Sequence, residues 1–413
     1  MLPKKVWLLL IMLLFILLSL ETVKLHFGIT LRIVQLYIFL LFSFFIIEDL
    51  YKKTLNIKLL LFLISFGLLL SFISLDSVHT KVGEYKFIIK YLTVLPAAFY
   101  IGSRIIEKIQ IKDFILAIEF SVLIVSLFAI YLYYFPIPSL IHDRGALTGF
   151  QGTFWESGGL GGFISLFLLS SILLRLNYNI WPQKKYLLHL FYLFLIGCLV
   201  ATKKKAAMLG LFIVGFSFIF YKTYLILKMS RIKEVDLRFY QILIKIFYKI
   251  NLKFIIFILF LAILSFFVIN SSLEKPIISE EILRHKWESE RGKAFRVTMS
   301  LIEQSNWVGG YGWGFVESYY GTHNLGIIGL GEGVSMIFNS YLDMWLSVGI
   351  LGLIYSLILI FISFSTKNLF STFIPIYLFV VANFNPIGAG ESYYLFLGLS
   401  YGFKKYRNFI YNV

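Results

Sequence analysis

Three consecutive lysines, Lys203, Lys204 and Lys205, stand in the middle of an apolar stretch, GCLVATKKKAAMLGLF, at residues 197–212. A lysine at the centre of a bilayer costs roughly 2.5–3.5 kcal/mol on insertion scales, so three in a row cannot lie at hydrocarbon depth. They either form a tight turn between two membrane helices or line a polar cavity. An ammonium group is a mobile point charge that suits phosphate oxygens, so the chemistry to consider is anion binding.

Signatures of metal or nucleophile chemistry are missing from the sequence. There is no HExxH motif, no pair of cysteines and no GxSxG nucleophile elbow, and the six histidines are scattered. The glycines of NWVGGYGWGF, residues 306–315, are not a phosphate loop, because no strand precedes them and no GK[ST] follows. We expect them to let the backbone approach a ligand closely.

The elements that must position these residues are membrane helices. Of the 413 residues, 59% are hydrophobic and 15% are charged, which would leave the surface of a soluble fold without enough polar residues. Apolar runs of about 15–25 residues recur and match the length of a helix that crosses a bilayer. The predicted fold class is all-α, a polytopic membrane protein with about twelve transmembrane helices. They are expected near residues 6–20, 29–47, 57–74, 86–103, 114–135, 160–174, 186–201, 206–227, 253–272, 337–363, 369–384 and 391–403.

The distribution of charge predicts the orientation of these helices. Most lysines and arginines fall at the N-terminus, in the even-numbered connections and at the C-terminus, which the positive-inside rule assigns to the cytoplasm. The net charge of +16 is therefore explained by topology, and no nucleic acid is implied. The outer connections nevertheless carry Arg144, the three lysines and Arg291. Cations gathered against the bias suggest an anionic ligand at the outer face.

Three regions follow from the pattern. Residues 1–270 form a first membrane bundle of about nine helices, residues 271–336 a large outer loop, and residues 337–413 about three C-terminal membrane helices. Within the loop, apolar spacing over residues 287–304 predicts a short amphipathic helix on or near the membrane surface.

Four stretches of the sequence, in this order, resemble landmarks of the O-antigen polymerase and O-antigen ligase superfamily. The resemblance covers roughly residues 140–365 and rests on a loose pattern of landmarks. Members share about ten to fourteen membrane helices and one large periplasmic loop just before the last few. The stretches are RGALTGFQGTFWESGGLGGFISL, LVATKKKAAMLGL, RGKAFRVTMSLIEQSNWVGGYGWG and FNSYLDMWLSVGILGLIYSL.

The resemblance assigns roles to four cations. The family's first landmark is an Arg followed by Gly, which Arg144 and Gly145 match. The second is commonly Thr-x-Ser-Arg-Gly-Ala, and Lys205 stands at its Arg position with Lys204 beside it. The third is an Arg before a Gly-x-Gly, which Arg291 matches. These four residues are expected to bind the substrate diphosphate.

The fourth landmark departs from the family. Ligases carry a His-Asn pair at the start of the next helix, where this chain has Phe338-Asn339. The loss of His favours a polymerase over a ligase and leaves the base unassigned. Asp343 follows Asn339 by four residues and shares its helix face. The candidate bases are Asp343, Glu332 and His323, and the candidate sugar-binding or positioning residues are Asn339 and Glu156.

The resemblance implies a metal-independent glycosyltransferase with a GT-C-like helical bundle, no cofactor, and an active site facing the periplasm from the bacterial inner membrane. It would join repeat units carried on undecaprenyl diphosphate into O-antigen or capsular polysaccharide. The expected partners are lipid-linked glycans, membrane lipids, a chain-length regulator and a flippase. The alternatives are a ligase that transfers glycan to lipid A-core and a flippase for the lipid-linked unit. A transporter built from two repeats should show matching halves, whereas the long outer loop has no counterpart in residues 1–200.

Overall fold

The computed structural model describes most of the predicted helices and part of the outer loop. It covers residues 2–20, 23–26, 30–74, 89–137, 140, 150–154, 157–202, 205–230, 290–305, 307–313, 315–316, 319, 339–384 and 390–404. The helix predicted near 253–272 lies outside the described residues.

The described residues form a helical bundle, which confirms the predicted class, with one short hairpin in addition. A π-helical turn, Lys90–Val94, leads into α4. The elements are α1 (Lys4–Leu17), β1 (Lys24–His26), β2 (Thr30–Arg32), α2 (Ile33–Tyr51), α3 (Ile57–Ser74), α4 (Leu95–Lys108), α5 (Ile111–Tyr134), α6 (Ser157–Tyr178), α7 (Lys185–Ala201), α8 (Lys205–Ser230), α9 (Glu290–Gln304), α10 (Ser340–Val348), α11 (Ile350–Ser363), α12 (Leu369–Phe384) and α13 (Glu391–Phe403).

Several of these helices have the length or the composition of membrane spans. Within the described residues, three are long and apolar enough to cross a bilayer: Ile33–Tyr51, Ile111–Tyr134 and Gly159–Tyr178. The shorter apolar helices are Ile57–Leu69, Lys185–Ala201, Lys205–Tyr221, Ile350–Ser363 and Leu369–Asn383. On α8, Phe212, Phe216 and Phe220 recur every fourth residue, and each is about half exposed, as on a lipid-facing stripe.

Several predicted helices have different ends in the structure, among them the one near 86–103, which continues to Lys108, and two of the differences have a clear structural cause. The helix expected from residue 29 begins at Ile33, because Thr30–Arg32 pairs as an antiparallel strand with Lys24–His26. The helix predicted over residues 337–363 is broken into α10 and α11 at Gly349, whose φ is 79°. A Cβ on Gly352 would lie 2.8 Å from the carbonyl oxygen of Met344, so the chain turns sharply there. In a straight α-helix, two residues eight positions apart, such as Met344 and Gly352, would be separated by about 12 Å along the helix axis.

The closest pair of helices is α4 and α13, which run parallel with their backbones in contact. A Cβ added to Gly398 would lie 2.1 Å from the carbonyl oxygen of Phe99, and one added to Gly402 would lie 2.6 Å from that of Ser103. In return, a Cβ on Gly102 would lie 2.2 Å from the carbonyl oxygen of Leu395. Small residues spaced by four let membrane helices approach this closely. The pairing holds the first turns of both helices side by side.

The core around this pair is aromatic. Phe15 of α1 packs edge-to-face on Phe167 of α6, with ring centroids 5.2 Å apart, and Phe167 lies 5.2 Å from Phe396 of α13. Phe114 of α5 adjoins Phe15 at 5.9 Å. These four rings are fully buried and fix α1, α5 and α6 around α13.

Candidate functional site

A buried carboxylate lies where α13 begins, and two cations face it. Glu391, the first residue of α13, is 4% exposed. Its Oε1 accepts a hydrogen bond of 2.7 Å from Gln35 Nε2, and its Oε2 lies 3.5 Å from Arg32 Nη1. Lys90 is close enough to interact electrostatically with the same carboxylate. We call Arg32, Gln35, Lys90 and Glu391 the Glu391 cluster.

Local structure places each member of the Glu391 cluster. Arg32 ends the hairpin and caps α2, and its backbone N–H donates to Gln35 Oε1 at 3.1 Å. Gln35 therefore holds the start of α2 with its oxygen and Glu391 with its nitrogen. Lys90 opens the π-helical turn that precedes α4. Single π-helical turns of this kind are frequent at functional sites.

Tyrosines line the next layer of the same end of the bundle. The Tyr91 hydroxyl donates to Met344 Sδ at 3.0 Å, and the Tyr91 ring stacks on Trp313 with centroids 4.6 Å apart. The hydroxyls of Tyr341 and Tyr393 lie 3.2 Å apart. These aromatic side chains are all at most 5% exposed, so they join α4, α10 and α13 as a packed layer beneath the Glu391 cluster.

Two of the predicted site residues, Asn339 and Asp343, lie at this end. Asn339 caps α10: its Oδ1 accepts from Tyr341 N at 2.9 Å and Leu342 N at 3.1 Å, as favoured N-cap residues do. Its Nδ2 donates to Asn383 Oδ1 of α12 at 3.1 Å. Asp343, in the first turn of α10, is partly buried and interacts electrostatically with Tyr91. Asn339 thus positions α10, and Asp343 is the one candidate base that lies within the described residues.

The remaining predicted residues are only partly described. Lys205 is the exposed first residue of α8, and three positions separate it from Ala201, the last residue of α7, so the connection between the two helices is short. A Cβ on Gly210 of α8 would lie 2.8 Å from Val381, so Lys205 stands toward the end of α12 that carries Asn383. Arg291 is the second residue of α9. Arg144, Lys204, Glu156, Glu332 and His323 lie outside the described residues.

The outer-loop helix packs on protein. The predicted amphipathic helix is confirmed as α9, and its buried Leu301 and Ile302 form a small core with Phe315 and Leu346. Phe295, two turns before Ile302 on the same face of α9, is 42% exposed. The apolar face of α9, which was expected to lie at the membrane surface, is therefore packed in part against α10 and exposed in part.

The glycine-rich segment after α9 forms a strap, Trp307–Trp313, across the break between α10 and α11. Tyr311 N and Gly312 N donate to the carbonyl oxygens of Leu346 and Ser347 at 2.6 and 2.8 Å. A Cβ on Gly310 would lie 2.4 Å from the backbone nitrogen of Gly349. The sequence predicted that Gly310 lets the backbone approach a ligand closely. In the structure the close neighbour of Gly310 is the backbone at Gly349.

The strap offers a direct test with adjacent glycines. We expect Gly310→Ala to displace the strap, because the added methyl group would overlap the backbone at Gly349. Chymotrypsin should then cleave the Trp307–Trp313 segment at least about fivefold faster, since local opening becomes easier by about 1 kcal/mol or more. Gly309→Ala is the control, because its Cβ would meet Ser305 only at 3.6 Å. Equal cleavage rates in the two variants would contradict the strap's dependence on Gly310.

A second charged group, the Asp49 cluster, lies at the opposite ends of α2 and α4. Asp49 is fully buried and accepts from Arg104 Nε and Nη2 at 3.0 and 3.1 Å, Lys108 Nζ at 3.1 Å and the Tyr100 hydroxyl at 2.8 Å. Lys108 also lies 3.4 Å from Glu48. Carboxylates and cations here satisfy one another within the protein. We therefore assign these residues, Glu48, Asp49, Tyr100, Arg104 and Lys108, to holding α2 against α4.

Sequence reasoning missed the Glu391 cluster, although a signal was present. Lys90 follows KFII and Glu391 precedes SYYLF, so each is a charge at the edge of an apolar run. Ionisable residues in such positions are costly and are commonly paired or functional. The sequence alone does not show which of these residues meet, because hydrogen-bonded partners such as Gln35 and Glu391 are 356 positions apart.

The described residues place a buried carboxylate with cations at the start of α13, and an aspartate that interacts with Tyr91 of the aromatic layer. Within that part of the chain, no group of three or more His, Cys, Asp or Glu side chains is arranged to hold a metal ion. No protein-family model matches the chain, and a search of curated proteins gives no match.

Proposed function

We propose that this protein is a membrane glycosyltransferase that polymerises oligosaccharide repeat units carried on undecaprenyl diphosphate. In this proposal about twelve helices span the bacterial inner membrane, both termini are cytoplasmic, and the Glu391 cluster faces the periplasm. The order of the apolar helices and the loop helix α9 ahead of the last helices support it, as does the resemblance of residues 140–365 to the polymerase and ligase superfamily.

The observation that carries the proposal is that Asp343, in the first turn of α10, interacts electrostatically with Tyr91, the residue that directly follows Lys90 in the chain. Glycosyl transfer from a lipid diphosphate needs a base for the acceptor and positive charge for the leaving group. The acceptor hydroxyl oxygen attacks the anomeric carbon, the bond from that carbon to the diphosphate oxygen breaks, and the hydroxyl proton passes to the base. Asp343 takes the role of base, ahead of Glu332 and His323, because it lies on a helix and interacts with the tyrosine next to Lys90.

The other predicted residues keep their proposed roles. Arg144, Lys204, Lys205 and Arg291 would approach the diphosphate from the outer connections. Asn339 would position α10, and Glu156 would contact sugar. Trp307, which is 44% exposed on the strap, offers a ring face on which a sugar can stack.

A flippase is the second candidate, and the broken helix favours it. Discontinuous helices near a binding site are typical of transporters, and α10 and α11 form such a pair around Gly349. The strap argues against a transport role for this break, because four backbone contacts pin it to a segment of the outer loop. A ligase remains less favoured, since Phe338 replaces the histidine that ligases carry.

Deletion of the gene in its host distinguishes the three functions. For a polymerase, we expect surface glycans of one repeat unit and no long chains. If the long chains were still made on the lipid carrier but no longer attached to the cell surface, the protein would be a ligase. If the lipid-linked units stayed on the cytoplasmic side of the membrane, it would be a flippase. Complementation with Asp343→Asn should fail to restore long chains, because the amide cannot accept the proton. Asp113→Asn, in the first turn of α5 near the Asp49 cluster, is the matched control.

A further inference from the structure

We infer that Trp307 and Trp345 form a binding site for a pyranose ring of the glycan, a ring that lies away from the bond being made. This inference rests on the proposed function, because it concerns the same glycan, and it adds a site that the family landmarks do not include. The C–H face of the sugar stacks on the indole ring of Trp307. Trp345 is a positioning residue, which acts by holding Trp307 in place.

The backbone at Trp307 is the first argument. Its φ is 66°, in the left-handed region, where a large side chain is a clear outlier. The strap also contains three glycines, which adopt such a conformation without strain, yet a tryptophan occupies this position. Left-handed residues other than glycine persist where the surrounding structure holds them, and they cluster at ligand-binding sites. The strain at Trp307 therefore indicates a role for its side chain.

The contacts around Trp307 are the second argument, because they hold it in one place. Its carbonyl oxygen accepts a hydrogen bond of 2.9 Å from Trp345 Nε1, and its N–H donates to the carbonyl oxygen of Ile302 at 3.0 Å. The two indole rings lie with their centroids 5.8 Å apart and their planes tilted by 58°. Trp345 is partly buried, whereas Trp307 is 44% exposed. Trp307 thus presents a preformed aromatic surface, which a ligand can occupy at a low cost in ordering.

The polar residues near Trp307 are the third argument, because they favour a sugar over a lipid chain. Glu303 and Gln304 are exposed at the end of α9, in the turn that leads to Trp307. A pyranose offers C–H groups to the negative face of an aromatic ring and hydroxyl groups to a carboxylate or an amide. A lipid chain has no hydroxyl groups to offer, and a carboxylate at hydrocarbon depth is costly. The surface around Trp307 therefore matches a carbohydrate in water.

Helix geometry places this site away from the candidate base. Asp343 and Trp345 are two residues apart on α10, so their side chains leave the helix about 200° apart, on opposite sides. Their contacts agree, because Asp343 interacts with Tyr91 and Trp345 contacts Trp307. The sugar on Trp307 is therefore another ring of the glycan than the one at the reacting bond. Its binding holds the chain during transfer.

The test is binding of the host's long-chain surface glycan, released from its lipid by mild acid, to the full chain in nanodiscs of zwitterionic lipid. We expect Trp307→Gly to weaken binding roughly 5-fold to 10-fold, as for the loss of one aromatic stacking contact, although glycine relieves the backbone strain. Trp307→Phe should keep affinity within about threefold, because a ring face remains. Trp181→Ala is the control and should bind like the wild type, since Trp181 is a partly exposed tryptophan that follows α6.

Two further variants separate stacking from structural support. Trp307→Leu keeps an apolar side chain at the left-handed position, so it should lose affinity as Trp307→Gly does, and it serves as the second variant if the glycine disturbs folding. Trp345→Phe removes the hydrogen bond to the Trp307 carbonyl oxygen and should weaken binding about threefold. Because Trp345 acts through Trp307, Trp345→Phe should have no further effect in the Trp307→Gly variant. Thermal unfolding of the same samples shows whether each variant is folded.

The outcomes that overturn the inference are distinct from failure of the proposed function. Wild-type affinity in Trp307→Gly or Trp307→Leu, or a wild-type protein that binds no released glycan, would refute the site. Insertion of Trp307 into the bilayer is the competing explanation, and lipids brominated on the acyl chain would then quench the fluorescence that Trp307→Phe lacks. Binding requires no transfer, so a host deletion that leaves long chains intact would refute the polymerase while the binding result stands.

Discussion

Gly398→Ala is expected to destabilise the folded protein by about 3 kcal/mol or more, the largest effect of any single methyl group in the described helices. The added carbon would lie 2.1 Å from the carbonyl oxygen of Phe99, which belongs to the rigid backbone of α4. Overpacking a core costs typically 1–3 kcal/mol when side chains can adjust, and a backbone oxygen inside a helix cannot turn away. Separation of α4 from α13 is then the only relief.

Denaturant titration in detergent micelles measures this loss of stability, and size-exclusion chromatography shows whether the variant is still a single species. Gly197→Ala is the matched control: it is also a glycine in an apolar helix, and a Cβ there would meet nothing within 4 Å. Since alanine is the better helix former, this control should be neutral or slightly stabilising. Similar stability of the two variants would show that α4 and α13 do not meet at Gly398.

Asp49→Leu is expected to cost about 3–5 kcal/mol, the range for breaking a buried ion pair by removing one partner. Asp49 satisfies Arg104, Lys108 and Tyr100, so leucine would leave two buried cations with fewer hydrogen bonds. Arg104→Met should cost less, because Asp49 would keep Lys108 as a partner at 3.1 Å. The same denaturant titration measures both.

Lys53→Gln is the control for charge alone, since Lys53 is exposed next to the same helix end and should change stability by less than about 0.5 kcal/mol. The free energy of unfolding is therefore expected to be lowest for Asp49→Leu, clearly higher for Arg104→Met, and highest for Lys53→Gln. An Asp49→Leu variant as stable as the wild type would mean that the Asp49 cluster does not join α2 to α4.

Hydrophobic pattern predicted the helices well, because the length of an apolar run is set by the thickness that it must cross. The runs predicted near 57–74, 186–201, 369–384 and 391–403 correspond to α3, α7, α12 and α13 within a residue or two. The same pattern predicted α9 and its end before Ser305. It did not predict the break at Gly349, because a glycine inside an apolar run can end a helix or lie within one, as Gly197 does.

The candidate site was predicted in part. Asn339 was chosen from the resemblance and Asp343 from its spacing of four residues to Asn339; in the structure Asn339 is hydrogen-bonded to Asn383 of α12 and Asp343 interacts with Tyr91. The role of Asp343 as the base stays a prediction. Gly310 was interpreted as a place for a ligand, since the sequence shows only that a close approach occurs and not what approaches.

The sequence by itself determined that the chain is a bundle of apolar helices, and it predicted cations on the side where they are rare, because transfer energies act on each residue locally. Only the tertiary structure decided which charges meet. Arg32 and Glu391 come from distant segments, and a backbone contact between Gly398 and Phe99 holds the helix of Glu391 against α4. Regularly spaced glycines are common in membrane helices, so they do not show which helix packs against them. The partner helix is decided by the complementary shapes of the two surfaces and not by either sequence alone.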